Sequence, residues 1–357
     1  MNKERIVLSI CIGTYNRKEL LKQLLEEILK YPNEDIELVI CDNASTDGTW
    51  AMLKEISDKR LKSYCNEKNY GADYNWLNSL WHGDGTYLMN LNDRELIDIQ
   101  ALKKFVEVIH KVEADMIVAS GHKKTVEFNA DNYINRTCIM QKLGEPGDII
   151  YSRKCIELLK NKYVNGLDIE RLSEIQGTLY DIMFSADNWY WYIGSRVVKD
   201  RPMAEFARIK PNRISNGYVF TGSPEGQRAI CRDQLIKVKY IDENNKENYA
   251  KGVILAYART FFWTPWRSRH NKDICLRYAY NPPVCTFWIK EIILWKKSVK
   301  KALKEGEYYS INVCNFARKS IWKEYFNFIY QRLCETNAIK ILVKIKHYIF
   351  GDRHMVA

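Results

Sequence analysis

The sequence lacks any apolar stretch long enough to cross a membrane, which would need about 18 uncharged residues. The first apolar run, residues 6–12, ends before Gly13 and is shorter than the core of a secretory signal. We therefore expect a cytoplasmic protein, which would reach the inner face of the cell membrane only as a peripheral protein.

Closely spaced cysteines are also absent. The chain has ten cysteines, but it has no Cys-x-x-Cys pair and no spacing typical of a metal site. Reduced, buried thiols of a cytoplasmic protein are the simplest interpretation.

Basic residues are concentrated near the end of the chain. The formal net charge is +11, yet residues 251–357 carry 20 lysines and arginines against 7 acidic residues, and residues 1–250 carry 35 against 37. A nucleic-acid-binding role for the whole chain is therefore not indicated, and no nucleic-acid partner is expected.

Alternating apolar patterns predict an α/β fold. Apolar runs of strand length occur near residues 6–12, 36–41, 61–65 and 86–91, and the segments between them carry apolar residues three and four positions apart. This alternation predicts a mostly parallel, doubly wound sheet.

The periodicity weakens beyond Gly121, where a helix near 169–184 and a strand near 189–193 are predicted. From residue 249 the pattern indicates helices, the last of them around 341–348. We predict a domain at 1–248. Its first half, at about 1–120, would bind a nucleotide for the reasons given below, and its second half, at about 121–248, would bind a second substrate, the acceptor. A basic, aromatic-rich helical region follows at 249–357.

Two carboxylates directly follow the fourth predicted strand. Asp93 and Glu95 stand one residue apart, and alternate residues of an extended loop point to the same side. Open α/β sheets bind ligands at the carboxyl ends of their strands, and Mg²⁺ or Mn²⁺ prefers oxygen ligands. We expect both side chains to face one cation that also holds a diphosphate.

Polar residues follow the other predicted strands too. These are Thr14, Tyr15, Asn16 and Arg17 after the first strand, Asp42 and Asn43 after the second, and Asn69, Gly71 and Asn75 after the third. An aromatic ring such as that of Tyr15 stacks on nucleobases. Asp42 is suited to accept a hydrogen bond from N3–H of uracil or thymine, which cytosine lacks. This favours a ligand that contains UDP or dTDP.

Each of these motifs also has a purely structural interpretation. Asp42 and Asp47 could simply cap turns and a helix, and Asn69-Tyr70-Gly71 could be an ordinary turn. Arg94 could pair with the neighbouring carboxylates in a loop salt bridge.

In order and spacing, Thr14-Tyr15-Asn16-Arg17, Asp42-Asn43-x-Ser45-x-Asp47-Gly48-Thr49, Asn69-x-Gly71-x-x-x-Asn75 and Asp93-x-Glu95 resemble the motifs of family 2 glycosyltransferases. The resemblance covers about the first 120 residues and points to bacterial enzymes of surface-polysaccharide synthesis. It implies the Rossmann-like GT-A fold, Asp93 near the ribose and the metal, and Glu95 as the direct Mn²⁺ or Mg²⁺ ligand. The chain departs from the family at Arg94 and Glu95, where aspartates are usual, although glutamate is a competent oxygen ligand.

An inverting transfer also needs a general base for the acceptor hydroxyl. The resemblance implies an acidic residue at the start of a later helix, but the Glu-Asp pair usual in the family is missing here. Glu174 is the nearest equivalent, and Asp168 and Asp187 are alternatives. Any of the three could instead lie on a solvated helix face.

The hypothesis is a metal-dependent, inverting glycosyltransferase that moves a sugar from a UDP- or dTDP-sugar to a saccharide or lipid-linked saccharide. An inactive nucleotide-sugar-binding module is one alternative. A nucleotidyltransferase is another, and it would be expected to have a Gly-rich, Lys-bearing loop where this chain has Thr14 to Arg17. Self-association into a homo-oligomer is left open.

The basic C-terminal region allows two interpretations. Its lysines, from Lys290 to Lys304, interleave with Trp288, Ile292, Trp295 and Val299, a pattern typical of a helix that lies on an anionic membrane surface. The alternative is a helical subdomain that buries these apolar residues and leaves the lysines in water.

Overall fold

The structure is a computed structural model that describes residues 6–119, 132–141, 146–199, 222–269 and 288–335. Its strands are β1 (Leu8–Thr14), β2 (Ile36–Asp42), β3 (Leu61–Cys65), β4 (Tyr87–Asn90), β5 (Leu96–Ile97), β6 (Met116–Val118), β7 (Ile149–Ser152), β8 (Trp189–Trp191) and β9 (Val198–Lys199). Its helices are α1 (Lys18–Ile28), α2 (Thr49–Glu55), α3 (Ala72–Trp81), α4 (Ile99–Ile109), α5 (Tyr133–Met140), α6 (Arg153–Lys162), α7 (Leu172–Ser185), α8 (Pro224–Ile236), α9 (Lys246–Arg269), α10 (Trp288–Glu305) and α11 (Ile311–Glu335).

Seven strands form one sheet in the order β3-β2-β1-β4-β7-β6-β8. Neighbouring strands are parallel, except that β7 runs antiparallel to β4 on one side and to β6 on the other. Strands β5 and β9 form a separate antiparallel pair. The prediction of a mostly parallel α/β sheet is confirmed.

The sheet is central because its strands are apolar on both faces. Every residue of β2 is buried, as are six of the seven residues of β1, and such strands need a helix layer on each side. Helix α1 covers part of the sheet with an apolar stripe at helical spacing that consists of Leu20, Leu21, Leu24, Leu25 and Ile28.

The described residues group into two compact units. The first comprises the described residues within 1–213 and 237–252 and holds the seven-stranded sheet, and the second comprises the described residues within 214–236 and 253–357. Helix α8 falls in the second unit because it packs on α10, where Arg228 pairs with Glu291 and Arg232 with Glu305. The boundary that the sequence predicted, between a domain at 1–248 and a helical region at 249–357, falls inside α9.

The second unit is built around buried aromatic side chains. Trp295 is 0% exposed, and its ring lies 6.3 Å from that of Phe261. Ile292 and Val299 share this buried face of α10, so the structure supports a packed subdomain for the apolar face of the basic helix. The helices predicted around 341–348 lie outside the described residues.

A membrane-spanning segment is not found among the helices that the structure describes.

Candidate active site

Polar loops converge at one edge of the sheet. Strands β1, β2 and β4 are parallel neighbours, with Thr14 in register with Asp42 and Cys11 in register with Asn90. Their carboxyl ends therefore lie side by side. We call the residues that follow these ends and that of β3, namely 14–17, 42–45, 66–75 and 92–95, the strand-end site.

Asp93 is the buried anion of the strand-end site. Its side chain is 0% exposed and accepts a hydrogen bond from the Thr14 hydroxyl at 2.8 Å. The Arg17 guanidinium forms an ion pair with the other carboxylate oxygen at 2.5 Å. A buried carboxylate without a partner would be costly, so Thr14 and Arg17 hold both the charge and the orientation of Asp93.

Glu95 is fixed within its own loop. It is 2% exposed, and its two oxygens accept hydrogen bonds at 3.0 Å from the main-chain N–H and from the side-chain amide of Asn92. Both predicted metal ligands are therefore buried at the same strand end.

These two carboxylates suit a cation that arrives with phosphates. Across the described ranges, no group of three or more histidine, cysteine, aspartate or glutamate side chains is arranged to hold a metal by itself. Mg²⁺ in nucleotide sites usually needs only one or two carboxylates, because phosphate and water oxygens complete its coordination. The oxygen donors of Asp93 and Glu95 fit that requirement.

Asp42, which was predicted to hydrogen-bond the nucleobase, is buried by its own loop. It is 0% exposed; the main-chain N–H of Ser45 donates to it at 3.2 Å, and the Ser45 hydroxyl donates as well. Burial raises the pKa of Asp42, although the bonds from Ser45 oppose this effect. A nucleobase would have to displace part of this loop, in which Ala44 has a left-handed backbone with φ of 58°.

Hydrogen bonds connect the loop after β1 to the loop after β2. Asn16, at φ 51°, donates its main-chain N–H to the Ser45 hydroxyl at 2.8 Å, and its side-chain oxygen accepts from the main-chain N–H of Thr46 at 2.8 Å. The neighbouring Tyr15 is 41% exposed, as a stacking surface must be. Asp47 accepts from the main-chain N–H groups of Lys18 and Thr49, which is the capping role considered as its alternative.

A network of asparagine amides connects the strand ends. Asn75 donates to the carbonyl oxygens of Thr14 at 3.2 Å and Cys41 at 2.8 Å, and so joins β1 to β2. It packs so closely on Gly13 that a Cβ there would lie 3.0 Å from the amide nitrogen.

Asn43 holds the loop of Asn69 and Gly71. Its amide donates to the Asn69 side chain at 2.7 Å and to the Gly71 carbonyl at 3.0 Å. Of the residues predicted to bind the donor, Asn69 and Gly71 are thus exposed and held by Asn43, and Asn75 joins β1 to β2.

Asn66 is the member of this network that the sequence pattern missed. Its amide donates to Asn43 at 2.9 Å and to Asn75 at 3.0 Å, and its oxygen accepts from Asn78 at 3.0 Å. A signal existed, because Asn66 directly follows β3 as Asn43 directly follows β2.

Glu174, the first of the predicted bases, lies in the opening turn of α7. It accepts hydrogen bonds from Arg171 at 2.8 Å and from the Tyr163 hydroxyl at 3.1 Å. The bond from Arg171 is the largest cause of a lowered pKa of Glu174. The carboxylate is therefore kept ionised but is a weaker base than an unpaired glutamate.

The other two candidate bases, Asp168 and Asp187, have different surroundings. Asp168 is exposed and accepts from the Glu170 N–H at 2.9 Å, as a turn residue does. Asp187 precedes the amino end of β8, which is parallel to β6 and runs in the same direction as β1 and β4. It therefore lies at the sheet edge opposite the strand-end site, and the structure does not support Asp187 as a base there.

Residues 9–165 match the protein family described as Glycosyl transferase family 2. The chain is 28% identical over 142 residues to the putative glycosyltransferase EpsE of Bacillus subtilis, covering 39% of this chain and 50% of EpsE. It is 27% identical over 157 residues to the UDP-Glc:alpha-D-GlcNAc-diphosphoundecaprenol beta-1,3-glucosyltransferase WfgD of Escherichia coli, covering 43% and 56%. The chain thus spans about half the length of these relatives.

A solved structure of similar fold is that of S. aureus TarS 1-349 in complex with UDP. The TM-score is 0.50 at 16% sequence identity, and the alignment covers 89% of each chain. At so low an identity, the structural similarity shows a shared fold and nothing more. This is the GT-A fold that was predicted for the first domain.

The network around Asn66 generates a stability prediction. Asn66→Ala removes two donors and leaves the Asn78 amide without its acceptor, so the free energy of unfolding should fall by roughly 1–3 kcal/mol. Urea denaturation measures it. Asn165→Ala, at an exposed turn residue, is the control and should stay within about 0.5 kcal/mol of the wild type; equal effects in both variants would contradict the role given to Asn66.

Proposed function

Residues 9–165 form a glycosyltransferase family 2 domain, and from this premise we propose that the protein is an inverting glycosyltransferase. It transfers one sugar from a UDP- or dTDP-sugar to a hydroxyl of a glycan in bacterial surface-polysaccharide synthesis. One observation carries the proposal: three buried carboxylates flank the carboxyl end of β1, with Asp42 at the end of β2 on one side and Asp93 and Glu95 in the loop after β4 on the other. Because Asp42 lies on one loop and Asp93 and Glu95 lie on another, the three carboxylates suit a ligand that has a base at one end and a diphosphate at the other.

The nucleoside of the donor occupies the loops after β1 and β2. The exposed ring of Tyr15 stacks on the base, and Asp42 accepts its N3–H after the Ser45 contact opens. The raised pKa of Asp42 supports this role, because a poorly solvated carboxylate gains from a new donor.

The diphosphate lies beside Asp93 and Glu95. Mn²⁺ or Mg²⁺ held there would neutralise the leaving group as a Lewis acid. Arg17, already 2.5 Å from Asp93, is placed to donate to a phosphate oxygen. Arg17 also keeps Asp93 paired when no donor is bound.

The transfer forms one bond and breaks another on opposite faces of the sugar. The acceptor oxygen attacks the anomeric carbon, the bond from that carbon to the diphosphate oxygen breaks, and the nucleoside diphosphate leaves with the electron pair. Glu174 takes the proton of the acceptor hydroxyl. Asp168 is the alternative base.

The acceptor is proposed to be a lipid-linked saccharide. WfgD, by its name, acts on a diphosphoundecaprenol-linked sugar. With an acceptor of this kind the enzyme would work in the cytoplasm, at the inner face of the membrane.

Titration calorimetry against UDP, dTDP, GDP and CDP with Mn²⁺ tests the donor site, and release of nucleoside diphosphate from the matching nucleotide-sugar tests transfer. An inactive binding module, the second candidate, predicts binding without release. One observation favours the inactive binding module: the two predicted metal ligands already have protein partners, Asp93 in Arg17 and Glu95 in Asn92. A nucleotidyltransferase is not favoured, because the loop after β1 is neither glycine-rich nor lysine-bearing.

The role of Glu95 is tested by Glu95→Ala. Loss of the metal ligand should weaken Mn²⁺ binding in the presence of UDP, followed by electron paramagnetic resonance, and should slow transfer by roughly a hundredfold or more. Glu113→Ala removes an exposed acid of the same unit and should change neither. Full activity in EDTA or in Glu95→Ala would exclude the metal role.

The role of Asp42 is tested by nucleotide preference. UDP should bind more tightly than CDP, and Asp42→Ala should reduce that difference by roughly 1–3 kcal/mol, as for a hydrogen bond to a charged acceptor. Calorimetry gives both affinities, and circular dichroism checks the fold. Equal affinity of the wild type for UDP and CDP would refute the assignment.

The pH dependence of transfer tests Glu174. Arg171 lowers the pKa of Glu174 below its ordinary value of 4.5, so activity should persist as the pH falls until Glu174 becomes protonated. Arg171→Ala should raise that pKa and move the acid limb of kcat to higher pH. Arg153→Ala, at another exposed arginine, should leave the limb in place, and an unmoved limb in Arg171→Ala would favour Asp168.

A further inference from the structure

Helix α10 has an exposed stripe as well as its buried face. Ile289 and Ile293 are 57% and 46% exposed, whereas Trp295 is buried. At three- and four-residue spacing the exposed isoleucines continue into a row of lysines, Lys296, Lys297, Lys300 and Lys304. These side chains share one side of the helix.

A cavity of about 320 Å³ adjoins this stripe and is lined by residues of α10 and α11. Its floor is apolar and includes Val299 and Ala317, each 2% exposed. Its cationic lining consists of Lys296, Lys297, Lys300 and Arg318. We call this cavity the basic groove.

The positive charge of the groove is not balanced locally. Among the residues that the structure describes, no carboxylate lines the groove; Glu291 and Glu305 on the same helix pair with arginines of α8. The segments 270–287 and 336–357 carry 2 and 4 lysines and arginines, against 1 acidic residue each. Clustered like charges raise the local potential, and an anion would relieve it.

From this charge and the neighbouring isoleucines, we infer that the basic groove and the adjoining stripe bind an anionic phospholipid at a membrane surface. Lysine and arginine side chains donate to the headgroup phosphate. Ile289 and Ile293 reach the boundary between headgroups and acyl chains. A nucleic acid would also supply phosphates, but the exposed isoleucines would gain nothing from it.

This contact differs from the membrane helix considered from the sequence, in which Trp295 would insert into the bilayer. Trp295 is 0% exposed and belongs to the core of the second unit. The inference rests on the proposed function in one respect only, namely that membrane binding would bring the enzyme to a lipid-linked acceptor. Lipid binding is measured without donor or acceptor, so its failure is distinguishable from failure of the transferase assignment.

The test is co-sedimentation of the full chain with phosphatidylcholine vesicles that contain or lack phosphatidylglycerol. Binding should require phosphatidylglycerol and should weaken as added salt shortens the Debye length from ~10 Å at 0.1 M to ~3 Å at 1 M. Joint substitution of Lys296, Lys297, Lys300 and Arg318 by Gln should reduce binding about tenfold or more. Ile289→Ser with Ile293→Ser should also weaken it.

A matched control removes the same charge from the first unit. Substitution of Lys22, Lys103, Lys104 and Lys111 by Gln, all at exposed positions, should leave vesicle binding unchanged. Equal loss in both charge variants, equal binding to vesicles without phosphatidylglycerol, or no binding at all would overturn the inference. So would full binding by the isoleucine variant together with equally tight binding of duplex DNA, since the site would then recognise any polyanion.

Discussion

The candidate site depends on a buried carboxylate that needs a cation. Asp93 has no exposed surface and lies in the loop after β4, so bulk solvent does not reach its charge. Arg17 supplies the counter-charge from the loop after β1, and Thr14 supplies a hydroxyl. Removing one partner of such a pair is far more destabilising than replacing both. The loops after β1 and β4 are therefore positioned by electrostatic need as much as by packing.

Much of this arrangement was predictable from the sequence because strand ends obey a simple rule. Continuous apolar runs identified β1, β2 and β4, and parallel strands place their carboxyl ends together, so Thr14, Asp42 and Asp93 could be expected at one edge. The amide network was not predictable, since Asn66 matches no motif and gains its meaning only from contacts with Asn43 and Asn75. Asp187 was wrong for a reason that the sequence already contained: it precedes the strand predicted at 189–193, and β8 runs in the same direction as β1 and β4, so residues before it lie at the opposite edge.

The second unit shows what an amphipathic pattern leaves undecided. The sequence of α10 alternates lysines with large apolar residues, which suits either a bilayer surface or a protein core. The structure separates them differently: Trp295, Ile292 and Val299 are buried, whereas Ile289, Ile293 and the lysines lie on the other side of the helix. One helix thus serves packing with one side and leaves the other available for recognition.

Neutral amides hold the loops of the strand-end site together. Asn43, Asn66, Asn75 and Asn78 neither gain nor lose protons over the pH range in which proteins stay folded, and their contacts carry no net charge for salt to screen. The frame that spaces the ends of β1, β2 and β3 should therefore keep its shape while the charged side chains of the site exchange partners. Acidity and ionic strength would thus act on the charged side chains of the strand-end site and leave its amide network unchanged.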